Sequence, residues 1–85
     1  MSDLQQQFDA AVAQSKQLPE RPDNNTLLKL YALFKQGTNG DAEGERPGMS
    51  DFIARAKYDA WAAVAGTSRE DAMRQYVDLI DSLKD

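Results

Sequence analysis

The 85-residue chain contains no cysteine and no histidine. Without cysteine there is no disulfide staple and no thiolate nucleophile. Without either residue a zinc site of the usual kind is excluded. A Ser-His-type triad is excluded by the same inventory. Positive charge is also in short supply: ten lysines and arginines face fourteen acidic residues, for a net charge of −4. Binding to a nucleic-acid backbone needs an extended basic surface, so nucleic acid is not expected as a partner. A small phosphate ligand needs only a few clustered cations and stays open. No stretch approaches the ~18 apolar residues of a membrane-spanning helix. The opening Met1-Ser2-Asp3-Leu4-Gln5-Gln6-Gln7 has neither the basic start nor the apolar run of a signal peptide. The expectation is a soluble, cytoplasmic protein with no integral membrane association.

Hydrophobic residues make up 41% of the chain and charged residues 28%, which argues against disorder. The length suits one domain over residues 1–85. A domain of this size buries only about 60–65% of its unfolded surface. That leaves little core volume for an enclosed cavity, so a sizeable ligand is expected in a surface groove between elements.

Four segments carry helical periodicity. In the first, Leu4, Phe8, Ala11, Val12 and Ser15 share a face, and Ser2 with Gln5 makes a capping-box start. It should end near Leu18, ahead of Pro19. The second begins after Pro22 with Asp23 as N-cap. Leu27, Leu30, Tyr31 and Phe34 form its stripe, Leu28 and Leu33 widen it, and Gly37 is its expected stop. A face this wide implies more than one neighbour. Residues 38–49 hold three glycines, a proline and three acids, and read as a long loop. Ser50 is the expected cap of the third helix, with Phe52, Ile53, Ala56, Ala60, Ala63 and Val64 on its buried side and Gly66 as its stop. Thr67 with Glu70 forms a second capping box. The fourth helix runs to about Leu83 with a stripe of Met73, Tyr76, Val77, Ile80 and Leu83. No strand pattern or repeat is present. The fold class is therefore all-α, a four-helix bundle with one long connection.

Tyr31, Phe34 and Lys35 stand at i, i+3 and i+4 and meet on one helix face. Two readings fit them. The rings can stack on a nucleotide base while the lysine pairs with a phosphate. Equally, the rings belong to the core stripe and the lysine snorkels to water. Lys57 and Trp61, with Arg55 near, are either a second phosphate contact or a solvated edge over a packed indole. Tyr76 is a groove wall or a core ring with its hydroxyl at the surface. Lys16 and Arg21 flank the first connection, as anion ligands or as ordinary surface charge. Asn39, Asp41, Glu43 and Gly44 begin like an EF-hand loop, but the twelfth position is Ser50 instead of a bidentate glutamate, so no metal site is expected. No nucleophile has a histidine to activate it and no P-loop motif is present, so an enzyme is not expected.

Ordered strings say more than spacings. Tyr31-Ala-Leu-Phe-Lys-Gln36, Gly40-Asp41, Arg46-Pro47-Gly48, Ala56-Lys57-Tyr58-Asp59-Ala60-Trp61, Gly66-Thr67-Ser68 and Glu70-Asp71-Ala72-Met73 through Tyr76 occur in this order. The chain resembles the acyl-CoA-binding protein family across nearly its whole length. The resemblance implies an up-down-down-up bundle in which the long loop between helices two and three is a crossover. It implies a non-catalytic intracellular carrier that binds long-chain fatty acyl-CoA one-to-one and needs no cofactor. The family's adenine-stacking tyrosine falls on Tyr31, with Phe34 beside it. Its lysine for the 3′-phosphate falls on Lys35, a second phosphate lysine on Lys57, and a first-helix lysine that approaches the ligand on Lys16. The last helix's tyrosine falls on Tyr76, and Leu28 matches a residue lining the acyl groove.

Three departures stand out. Phe34 replaces a usual tyrosine, removing a hydroxyl worth about 0.5–1.5 kcal/mol of binding. Tyr58 replaces a usual tryptophan, and Arg21 a common lysine. A monomer is expected, with transient contact to acyl-CoA-using enzymes. The competing reading is a helical protein-interaction module that keeps the fold without the ligand, motivated by Phe34 and the acidic surface.

Overall fold

The computed structural model describes residues 3–84. Among them are four α-helices and no strand: α1 Leu4–Gln14, α2 Asn24–Asn39, α3 Phe52–Ala63 and α4 Arg69–Leu83. A 3₁₀ turn, Ser15–Gln17, prolongs α1 until Leu18 turns extended before Pro19. That is the stop the proline dictates.

The helix ends show where local chemistry was read correctly and where it was not. Asp23 caps α2 as expected, its Oδ1 accepting from the Thr26 N–H at 2.8 Å. That bond holds its carboxyl below the ordinary value of 3.8. The α1 cap expected at Ser2 lies outside the described residues; Asp3 occupies the N-cap position and makes no side-chain cap bond. Asp51, not Ser50, caps α3 through the Ala54 N–H, because the Asp51 N–H closes a turn onto the Gly48 carbonyl that contains Ser50. Ser68, not Thr67, caps α4 through the Asp71 N–H. Thr67 belongs to the preceding turn, its N–H donating to the Val64 carbonyl. Gly37 does not end α2. The helix continues to Asn39, and Gly40 ends it at φ 87°, ψ −153°. At Gly37 a Cβ would lie 3.2 Å from Met73 Cγ and 3.4 Å from Phe8 Cζ, so this glycine serves close helix packing.

Side-chain pairings give the helix directions. Phe34 meets Tyr76 and Gly37 meets Met73, so α2 and α4 are antiparallel. Leu4 shares a hollow with Arg74 and Gln14 shares one with Asp81, so α1 and α4 are parallel. Tyr31 meets Lys57 and Lys35 meets Trp61, so α2 and α3 are parallel. The order is up-down-down-up, and residues 40–51 form the crossover.

Phe8 and Ala11 of α1, Leu30, Ala32 and Leu33 of α2, and Ala72, Tyr76 and Ile80 of α4 form the core. α3 contributes no buried residue. Phe52 and Ile53, expected on its buried side, are 77% and 71% exposed, and Ala63 is exposed as well. The reason is that α3 packs chiefly against α2. Ala56, Ala60 and Val64 face inward but reach only half-burial. The described chain is a slab whose Cα atoms span 39 × 31 × 15 Å. With helix axes 8–10 Å apart, the thin dimension leaves no room for an enclosed chamber.

What α3 lacks in burial it recovers in tethers. Arg46 forks onto Asp59 with bonds of 2.8 and 2.7 Å. This pairing lowers the Asp59 carboxyl and raises the guanidinium. The Tyr58 hydroxyl donates to the Gly44 carbonyl at 3.0 Å, a bond the indole of a tryptophan lacks the hydroxyl to make. Trp61 Nε1 donates to the Gly40 carbonyl at 2.8 Å. Buried Gln36 donates from Nε2 to Asp41 Oδ1 and to the Thr67 carbonyl, and the Gly66 N–H donates to the same Asp41 oxygen.

Candidate functional site

Because α3 lies parallel to α2 and meets it with small alanines, the two helices leave an open groove of about 420 Å³. Leu27, Leu28 and Tyr31 form one wall; Phe52, Ile53, Ala56 and Lys57 form the other. Arg21 and Asn24 stand at the end nearest the start of α2. The walls are apolar, and the lining contains two cations and no carboxylate. A second hollow of about 230 Å³ lies between α2, α4 and the end of α1, lined in part by Ser15, Leu30, Phe34 and Tyr76. Leu27 and Tyr31 line both spaces, so the Tyr31 ring stands on the boundary between them. Another hollow of about 390 Å³, beside Pro19, Asp23 and Leu83, holds none of the seven residues expected at the site.

Two lysines sit on rings of the facing helix. Lys57 Nζ is 5.4 Å from the Tyr31 ring centroid, and Lys35 Nζ is 5.0 Å from that of Trp61. Both distances lie within cation–π range. The ion pairs found among the described residues are Arg46–Asp59, Arg74–Asp71 and Lys84–Asp81, so neither lysine is neutralised by a carboxylate. An ammonium held over a ring keeps its donors available to an incoming oxyanion. Trp61 is in turn fixed by its bond to Gly40, so the end of α2 and the crossover set where Lys35 rests.

The structure thus groups Leu28, Tyr31 and Lys57 in the α2–α3 groove, and Tyr31, Phe34 and Tyr76 around the smaller hollow. The aromatics belong to the core stripe and also reach a hollow. Phe34 stacks on Phe8 with centroids 6.0 Å apart, Tyr76 meets Phe8 edge-on at 5.2 Å, and Phe34 and Tyr76 still line the hollow. Lys35 is half-buried over Trp61 and lines neither space. Lys16 is exposed on the 3₁₀ turn; its neighbour Ser15 lines the hollow, and Lys16 itself does not. Phe52 and Ile53 were missed as groove residues, because a core-facing stripe and a groove-facing stripe have the same period. The alanines at 54, 56 and 60 were the available signal that α3 would leave a gap.

The groove lining holds no histidine, cysteine or carboxylate, so it presents no acid–base pair or activated nucleophile. Near the start of the crossover, the Asp41 carboxylate turns onto Gln36 and Gly66, and no three acidic side chains converge among the described residues.

Comparison with known proteins agrees with this architecture. The family model described as Acyl CoA binding protein matches residues 5–80. An acyl-CoA-binding protein homolog of Manduca sexta is 48% identical over 81 residues, covering 94% of this chain and 90% of that protein. Enoyl-CoA delta isomerase 2 of Rattus norvegicus is 45% identical over 83 residues, covering 98% of this chain but only 21% of the isomerase. The crystal structure of Oryza sativa acyl-CoA-binding protein 2 superposes with a TM-score of 0.90 at 40% identity, covering 94% of this chain and 89% of that one. The chain belongs to the acyl-CoA-binding protein family.

Proposed function

We propose that the protein is a non-catalytic carrier of long-chain fatty acyl-CoA thioesters, one ligand per chain. The observation that carries this reading is the α2–α3 groove, whose apolar walls meet an ammonium poised over an aromatic ring. An amphiphile with a long alkyl chain and a polyphosphorylated head needs both. Relatives named for acyl-CoA binding, matched over most of their length, support the ligand class.

In this reading Tyr31 stacks on the adenine with Phe34 beside it. Lys35 takes the 3′-phosphate and Lys57 a second phosphate, while Lys16 approaches from the 3₁₀ turn. Tyr76 closes the aromatic wall. The acyl chain lies along Leu28, each buried methylene stabilising the complex by about 0.8 kcal/mol. The protein acts as a monomer in the cytoplasm, needs no cofactor and hands its cargo to acyl-CoA-using enzymes. The isomerase relative is matched over a fifth of its length, so its activity is not carried over.

Native mass spectrometry after incubation with palmitoyl-CoA tests this reading. One intact thioester per monomeric chain is the expected result. Released palmitate and CoA, or no adduct, would contradict it.

A further inference from the structure

We propose that Trp61, which lines neither the groove nor the hollow, is a positioning residue that sets specificity for a head group ending in a phosphomonoester, because it fixes the ammonium of Lys35. The inference rests on the reading that Lys35 takes the 3′-phosphate. Lysine is a long, strongly hydrated side chain that surrenders much rotamer freedom when it pairs. Here it is half-buried, its Nζ 5.0 Å from the Trp61 ring centroid. Neither helix offers it a carboxylate. α2 carries no acidic residue, and the single acid of α3, Asp59, is taken by Arg46 at 2.8 and 2.7 Å. The indole is therefore the partner that places Lys35 before a ligand arrives.

The indole is anchored at its edge. Its Nε1 donates to the Gly40 carbonyl at 2.8 Å. Gly40 follows the last turn of α2, and its N–H donates to the Gln36 carbonyl at 3.1 Å. The next residue, Asp41, accepts from buried Gln36 Nε2 at 2.8 Å and from the Gly66 N–H at 2.9 Å. The carbonyl that receives the indole thus lies between two fixed points, and Asp41 ties it to both α2 and the α3–α4 turn. Face and edge of Trp61 have separate tasks. The face carries the ammonium, and the N–H sets the angle of the ring. An ammonium already held in place loses less freedom on meeting an oxyanion. Lys57 gives the contrast. It rests on Tyr31, a ring that lines both spaces and so meets the ligand itself. Trp61 acts on the ligand through Lys35, so its effect is confined to the phosphate that Lys35 binds.

The test is calorimetry of the full chain with palmitoyl-CoA and with palmitoyl-3′-dephospho-CoA, two esters that differ by that phosphate alone. The wild type should bind the dephospho ester roughly ten- to a hundred-fold more weakly. Trp61→Leu removes face and N–H together. It should bring the two Kd values to within about three-fold of each other by weakening the CoA ester alone. Trp61→Phe keeps a face without the N–H, and its ratio should fall between the two. Added to Lys35→Ala, Trp61→Leu should change neither Kd further, as expected of two residues acting as one unit. A wild-type ratio in Trp61→Leu, an equal loss for both esters, or a further loss in the double variant overturns the proposal and leaves the carrier reading standing. If Trp61→Leu lacks the wild-type helical circular dichroism, Trp61→Phe decides, and a wild-type ratio there overturns the proposal. Equal binding of both esters by the wild type removes the phosphate role given to Lys35, and the proposal with it.

Discussion

The ammonium of Lys57 rests 5.4 Å from the centroid of the Tyr31 ring, reaching from α3 to α2 across the mouth of an apolar groove. Lys35 makes the reciprocal contact, from α2 to Trp61 on α3, at 5.0 Å. Both contacts follow from the parallel register of the two helices, which the crossover permits. A lysine so placed has no ion pair to surrender when a phosphate arrives.

Removing either charge should therefore weaken binding sharply. Hydrogen bonds to charged groups contribute about 1.5–3 kcal/mol, so Lys35→Ala and Lys57→Ala should each raise the Kd for palmitoyl-CoA by roughly ten- to a hundred-fold. Lys84→Ala, which removes an exposed pair with Asp81 at the end of α4, should leave it unchanged. Calorimetry on the three variants checks this, and equal Kd values would sink the site assignment.

Phe34 lines the smaller hollow next to Tyr76 and Tyr31. Phe34→Tyr places a hydroxyl at this aromatic wall. It should tighten palmitoyl-CoA binding about two- to ten-fold through one added hydrogen bond. An unchanged affinity would mean that the hydroxyl does not reach the head group.

Gly40 ends α2 at φ 87°, ψ −153°, a region that only glycine occupies readily. Gly40→Ala should lower stability by about 1–3 kcal/mol. The Gly40 carbonyl also holds Trp61, so urea unfolding followed by tryptophan fluorescence should show both the lower midpoint and an altered native spectrum.

Asp41 ties α2 to the α3–α4 turn, and the Gly66 N–H and Gln36 amide on its carboxylate depress its pKa below 3.8. A depressed carboxyl contributes its stability above the ordinary value and loses it as pH falls through the folded value. The urea midpoint should hold above 3.8 and decline below it, with Asp23 and Asp59 acting in the same direction. Asp41→Asn should decline less steeply than the wild type in the same titration.

Phe8, in the middle of α1, and Phe52, at the start of α3, have opposite fates. Phe8 is 1% exposed against Phe34 and Tyr76. Phe8→Ala should cost about 3–5 kcal/mol. Phe52→Ala should change stability by no more than about 0.5 kcal/mol, as expected of an exposed position. Urea denaturation of the two variants separates them.

That contrast marks how far the fold was legible in the sequence. The stripes of α1, α2 and α4 identified Phe8, Leu30, Leu33, Tyr76 and Ile80 as core, because each helix has neighbours that need an apolar face. The stripe of α3 misassigned Phe52 and Ile53, because periodicity does not distinguish a face turned to protein from one turned to a groove. Caps slipped by one residue where two cap formers adjoin, at Ser50-Asp51 and Thr67-Ser68. Gly37 and Gly40 could each have ended α2, and only the packing of Phe8 and Met73 decides between them. Family resemblance singled out Tyr31, Lys35 and Lys57. The lysine–ring pairings were not legible, because they depend on the register between two helices joined by a crossover.

The central claim is that one site reads head and tail together. Isothermal titration calorimetry with palmitoyl-CoA below its micelle concentration, against free CoA and free palmitate, tests it most directly. Tight one-to-one binding of the ester, with each fragment far weaker, is the predicted result. No heat with the ester, or affinity for one fragment equal to that for the whole, would contradict the account and favour an interaction module that has kept the fold without the ligand.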